Sequence, residues 1–110
     1  MRIEFDGVRE ESVNNFHGGK GCLVLQKTTK NNVSFIKAKL TPGSSVGMHK
    51  HMVDSETIYV LSGKGKTICD GETEMLQAGS VTFCPVGCSH CLMNDGTEDL
   101  VFFAVIPKQI

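Results

Sequence analysis

What most restricts this chain is its punctuation. Twelve glycines in 110 residues, together with the turn dipeptides Pro42-Gly43, Asp70-Gly71, Ala78-Gly79 and Asp95-Gly96, cut it into short pieces. No window sustains apolar residues at i, i+3, i+4 and i+7, so helix signals are weak throughout. The intervening pieces are strand-like: CLVLQ (22–26), NVSFIKAKL (32–40), ETIYVLSG (56–63), KTIC (66–69), TEML (73–76), SVTFCP (80–85), SHCLMN (89–94) and DLVFFAVI (99–106). Most are rich in β-branched or aromatic residues. Asp70-Gly71 is the strongest hairpin signal, because a type I′ turn needs positive φ at both central residues. About eight short strands at this spacing predict an all-β sandwich or barrel, with the first twenty residues as an irregular or edge-strand arm.

A chain of this length is expected to form one domain over residues 1–110. Folding at this size buries somewhat under about 70% of the unfolded surface, which leaves a thin margin that a second subunit would widen. Eleven basic and twelve acidic residues are mixed along the chain, so the charge footprint of a nucleic-acid binder is missing. The longest apolar run, 100–107, is far short of the roughly 20 residues of a membrane span. The N-terminus has no apolar signal-peptide core, and five cysteines form an odd set. Reduced thiols in a cytoplasmic protein are therefore expected.

Chemistry concentrates in HKHMVDSE, which holds two of the four histidines. Side chains alternate along a strand, so His49 and His51 project to one side and present two imidazoles to one point. Glu56, arriving from the next strand, adds a carboxylate. Two histidines and a carboxylate with open positions suit non-haem iron and related divalent metals. The same alternation turns Ile58 and Val60 inward and Thr57, Tyr59 and Leu61 outward. An HxH pair alone is equally compatible with two unrelated histidines on an exposed strand.

Longer spacings separate these readings. Gly43, His49, His51, Glu56 and Gly63 fall at the intervals G-x5-H-x-H-x4-E-x6-G, and Gly79, Pro85, Gly87, His90 and Asn94 at G-x5-P-x-G-x2-H-x3-N. Both patterns are complete. They resemble the first and second motifs of the cupin superfamily, over 43–63 and 79–94, and the 15 residues between them are similar to its compact members. The resemblance implies a double-stranded β-helix, or jelly-roll, barrel. It also implies one divalent transition metal (Fe, Mn, Ni, Zn or Cu) held by His49, His51, Glu56 and His90. One departure is Ser80, where an acidic residue often follows the first glycine of the second motif.

Other residues have plainer roles. The four motif glycines stand where strands reverse, Pro85 stiffens the entry to the His90 strand, and Asn94 is expected mainly to close a turn. Cys84, Cys88 and Cys91 share the C-x3-C-x2-C spacing of a radical-SAM cluster, but they are threaded through a complete cupin motif in a chain too short for that fold. Alternation places Cys88 on the face of His90, where it would line the cavity mouth, and Cys91 opposite. The remaining cysteines, 22, 69, 84 and 91, read as small apolar fillers. His17 is expected at the surface or an interface, outside the ligand set.

Cupins include dioxygenases, decarboxylases, isomerases, lyases and non-catalytic binding modules, so the fold does not choose. The only arginines are Arg2 and Arg9, both in the N-terminal arm, and no second acid–base group is evident. Dioxygenase-like chemistry on a small oxygenated or carboxylate metabolite tolerates that poverty best. A metabolite-binding or metal-sensing module is the alternative, followed by a decarboxylase, isomerase or lyase. The expected partners are a small molecule and a second copy of the chain, since small cupins commonly pair as homodimers.

Overall fold

The computed structural model describes residues 1–109. These form ten antiparallel strands and one 3-10 turn, Phe16–Gly18. The strands are β1 (Glu11–Asn14), β2 (Cys22–Lys30), β3 (Val33–Leu40), β4 (Ser45–Lys50), β5 (Glu56–Ser62), β6 (Lys64–Cys69), β7 (Glu72–Gln77), β8 (Val81–Cys84), β9 (Ser89–Met93) and β10 (Leu100–Pro107). A six-stranded sheet, in the order β1-β2-β3-β10-β5-β8, faces a four-stranded sheet ordered β4-β9-β6-β7. This is the expected jelly roll. Two strands lie outside the eight segments: β1 is the edge strand that the N-terminal arm allowed for, and β4, interrupted by Gly47, carries the HxH pair.

The local chemistry explains the turns. Asp70 and Gly71 both have positive φ, 48° and 83°, and join β6 to β7. A second turn of the same kind, Asn31 (49°) and Asn32 (64°), joins β2 to β3 with Lys30 opposite Val33. Asparagine tolerates the left-handed region because its side chain is short and polar.

Inner-face residues line up in rows across the large sheet. Leu23, Leu40 and Leu100 form the first, and Leu25, Ala38, Phe102 and Val60 the second. Lys27, Ile36, Ala104, Ile58 and Thr82 form the third. Leu40, Leu100, Val60 and Ala104 are fully buried, and Val46, Leu76 and Leu92 of the small sheet complete the core. Each buried leucine contributes about 1.5–3 kcal/mol. Burial slackens towards the other end, where Leu25 and Ile36 are only partly covered. The barrel is thus plugged at one end and open at the end where Glu56 enters β5. Asn94 belongs to the plug: its amide donates to the Leu40 and Glu98 carbonyls, both at 2.8 Å, and its oxygen accepts from the Gly96 N–H at 3.0 Å. It closes the β9–β10 connection, as expected.

Candidate metal centre

The open end owes its chemistry to an irregularity in β4. Val46 pairs with Leu92 and His49 with His90, so three steps along β4 match two along β9. The extra residue makes a β-bulge and reverses the alternation. Val46 faces the core, yet Met48 is exposed, while His51, two residues beyond His49, is buried again. Without the bulge, the strand that buries Val46 would turn both histidines outward.

Gly47 allows that bulge to be covered. A Cβ there would fall on the His17 carbonyl oxygen, and one on Gly19 would fall on the Ser45 carbonyl oxygen. Two backbones therefore approach more closely than any side chain permits. The N-terminal segment is clamped onto β4, with the His17 ring stacked on His49 at 4.1 Å between centroids and 16° between planes.

The four motif residues converge. One donor atom from each of His49, His51, Glu56 and His90 lies within 4.8 Å of all the others. The Nε2 atoms of His51 and His90 are 3.0 Å apart, and Glu56 Oε1 is 3.2 Å from the former and 2.9 Å from the latter. Two donors bound at about 2.1 Å and about 90° apart would be separated by roughly 3 Å, so the spacing fits a shared divalent ion. The tautomers fit as well. His49 Nδ1 lies 2.8 Å from the Gly47 carbonyl, which can only accept, so this nitrogen donates and Nε2 keeps its lone pair. His51 Nδ1 lies 2.6 Å from Asp54 Oδ1, which orients that ring in the same sense.

The electrostatics follow from this packing. Burial would raise the Glu56 pKa, but hydrogen bonds from His51 and His90 outweigh it and pull it down to about 2. His51 is raised, first by its hydrogen bond to Glu56 and, against the cost of burial, by Asp54. His49 has no carboxylate partner, and burial lowers it. His17 is lowered too, by burial and then by His51, as befits a group close to the cluster.

A cavity of about 430 Å³ opens over the cluster. Its polar end carries the four motif residues with His17 and Asp54, and its rim includes Phe16, Lys27, Lys50 and Met52. Ile58 and Val60 face inward and Tyr59 and Leu61 outward, as alternation predicts. His17 is exposed and outside the four-residue cluster, as expected, and the turn at Phe16–Gly18 also brings it to the rim of the cavity. One expectation needs correction. Cys91, not Cys88, borders the cavity; Cys88 lies on the preceding turn, where the Asp70 carboxylate beside it raises its pKa. All five cysteines are free, and burial next to Cys69 pushes Cys84 up to about 12. Asp54 was not singled out from the sequence. Its signal, a carboxylate three residues after His51, is common in loops.

Known proteins agree with this architecture. A family model described as a cupin domain matches residues 37–106. An oxalate-binding protein of Thermotoga maritima is 38% identical over 96% of this chain and 93% of its own length. The crystal structure of a predicted oxalate decarboxylase from Thermotoga maritima superposes with a TM-score of 0.90 at 36% identity, covering 98% of this chain and 99% of that one. The Schizosaccharomyces pombe Cnp3 cupin domain superposes with a TM-score of 0.79 at 13% identity, covering 98% and 74% of the two chains, a likeness of fold alone.

Proposed function

The chain belongs to the cupin domain family, and from that premise we propose that His49, His51, Glu56 and His90 hold one divalent transition metal, of the set Fe, Mn, Ni, Zn or Cu, at which a small carboxylate or other oxygenated metabolite binds. The observation that carries this reading is the roughly 3 Å spacing of His51 Nε2, His90 Nε2 and Glu56 Oε1, the separation of neighbouring ligands on one ion. When bound, the metal supplies Lewis acidity and open positions for oxygen donors or dioxygen. The protein's own part is to fix the rings through Gly47 and Asp54, to keep Glu56 ionised and to wall the site from bulk water. The oxalate-binding relative favours a carboxylate ligand.

Turnover of the dioxygenase type remains the reaction class this cavity suits best, because neither arginine lines it and the only further imidazole is His17. A second reading, a carboxylate-binding module without turnover, is favoured by the relative's description as a binding protein. Metal analysis of the purified protein, beside His51→Ala, tests the centre. Near-stoichiometric metal in the wild type and its loss in the variant are expected, and wild-type protein that neither retains nor takes up a divalent ion would end the proposal. Oxygen uptake by the iron-loaded protein with small carboxylates and diketones then decides between enzyme and module.

The outer face of the large sheet supports a homodimer. Tyr59, Leu61, Val81 and Phe83 are all exposed there, and β5 pairs with the edge strand β8 so that Tyr59 lies opposite Val81. An apolar patch beside a free sheet edge suits a second copy of the chain, and we assign the homodimer contact to it. No helix among the described residues is long and apolar enough to cross a membrane. Five free thiols suit a reducing cytoplasm.

A further inference from the structure

The cavity is two-faced. One end is the histidine and glutamate cluster; the rest is aliphatic and aromatic wall, including Leu25, Ile36, Ala38, Ile58, Phe102 and Ile106. These are inner-face positions of the large sheet, and Leu25 and Ile36 stay half-exposed although they point into the barrel. Half-covered apolar side chains in a concave site mark where an apolar ligand surface gains most from leaving water.

The size is equally telling. About 430 Å³ lies within the usual range of sites that enclose a small organic ligand, and is more than two linked carboxylates fill. Charge argues the same way. The cationic side chains on the lining, apart from the imidazoles, are Lys27 and Lys50 at the rim, both exposed, and neither Arg2 nor Arg9 reaches the cavity. Oxalate would meet few donors on this lining beyond Lys27, Lys50 and His17, and would leave its apolar wall uncovered.

We infer that the ligand of this site is an amphipathic monoanion: a 2-oxo or 2-hydroxy carboxylate whose two adjacent oxygens face the His49–His51–Glu56–His90 cluster and whose branched-aliphatic or phenyl body occupies the chamber lined by Leu25, Ile36, Ala38 and Phe102. This rests on the metal reading above, which supplies the point of chelation, and it narrows the ligand from small carboxylates in general to those with an apolar body. Lys27 and Lys50 draw the anion to the mouth, since long-range attraction needs no fixed contact. The body then settles against the half-covered wall.

The test is a titration series on metal-loaded protein, followed by calorimetry: oxalate, pyruvate, 2-oxobutyrate, 4-methyl-2-oxopentanoate and phenylpyruvate. Each carbon buried against the wall should tighten binding about fourfold, so the branched and phenyl acids should exceed both pyruvate and oxalate by at least about tenfold. In Ile36→Asp that gain should vanish, with retained metal stoichiometry marking an intact fold. The wild-type series stands by itself if the variant does not fold. Oxalate binding tightest, or affinity flat across the series, on protein that holds its metal would overturn the apolar body and leave the metal centre standing. Failure of the protein to take up any divalent ion would remove both.

Discussion

His51 Nδ1 and Asp54 Oδ1 lie 2.6 Å apart, and this contact aims the opposite nitrogen of the ring at Glu56 and His90. Asp54 is therefore a positioning residue. Replacing it by alanine frees the ring and lowers the basicity of Nε2, which in comparable centres costs about tenfold to hundredfold in metal affinity. Competition titration with a chromogenic chelator should show that loss in Asp54→Ala, with an unchanged far-UV circular dichroism spectrum. Unaltered affinity would mean that the contact is incidental.

The buried carboxylate sets a pH dependence. Glu56 has a folded pKa of about 2 against an ordinary value of 4.5, so the folded state holds its ionised form more favourably than the unfolded chain does. That contribution, on the order of 3 kcal/mol, is complete above pH 4.5 and is lost as pH falls towards 2. Urea midpoints of the metal-free protein should fall across this window, and Glu56→Gln should flatten the slope. A variant as acid-sensitive as the wild type would place the dependence elsewhere.

Gly47 predicts a steric effect at a distance from any ligand atom. In Gly47→Ala the new methyl meets the His17 carbonyl and the Gly19 nitrogen, both backbone. Either the bulge or the N-terminal segment must move, at about 1–3 kcal/mol, the usual cost of overpacking. Thermal unfolding should begin roughly 4–8 °C lower for each kcal/mol. Gly43→Ala meets nothing within 4 Å but has φ of 79°, so it isolates backbone strain from collision.

The outer patch predicts an assembly change. Phe83 is 55% exposed and Val81 62%, so Phe83→Asp should leave the barrel intact while weakening pairing of two copies. Light scattering after gel filtration should report a dimer for the wild type and a monomer for the variant. A wild-type monomer at working concentration would refute the assignment.

Turn chemistry at Asp70-Gly71 and alternation from Glu56 to Leu61 are short-range facts that could be read from the chain, and the two motif spacings, through their resemblance to cupins, implied the meeting of His49, His51, Glu56 and His90. Tertiary structure decided the rest. Whether His49 faces in or out of the barrel depends on the register of β4 against β9, which the bulge at Gly47 resets; alternation along β4 alone, counted from Val46, gives the wrong face. His17 reaches the cavity because Gly19 and Gly47, twenty-eight positions apart, let two backbones touch. Cys88 leaves its expected place because it precedes β9, where strand parity does not apply. Contacts between distant segments obey packing and register, and these quantities exist only once both partners are in place.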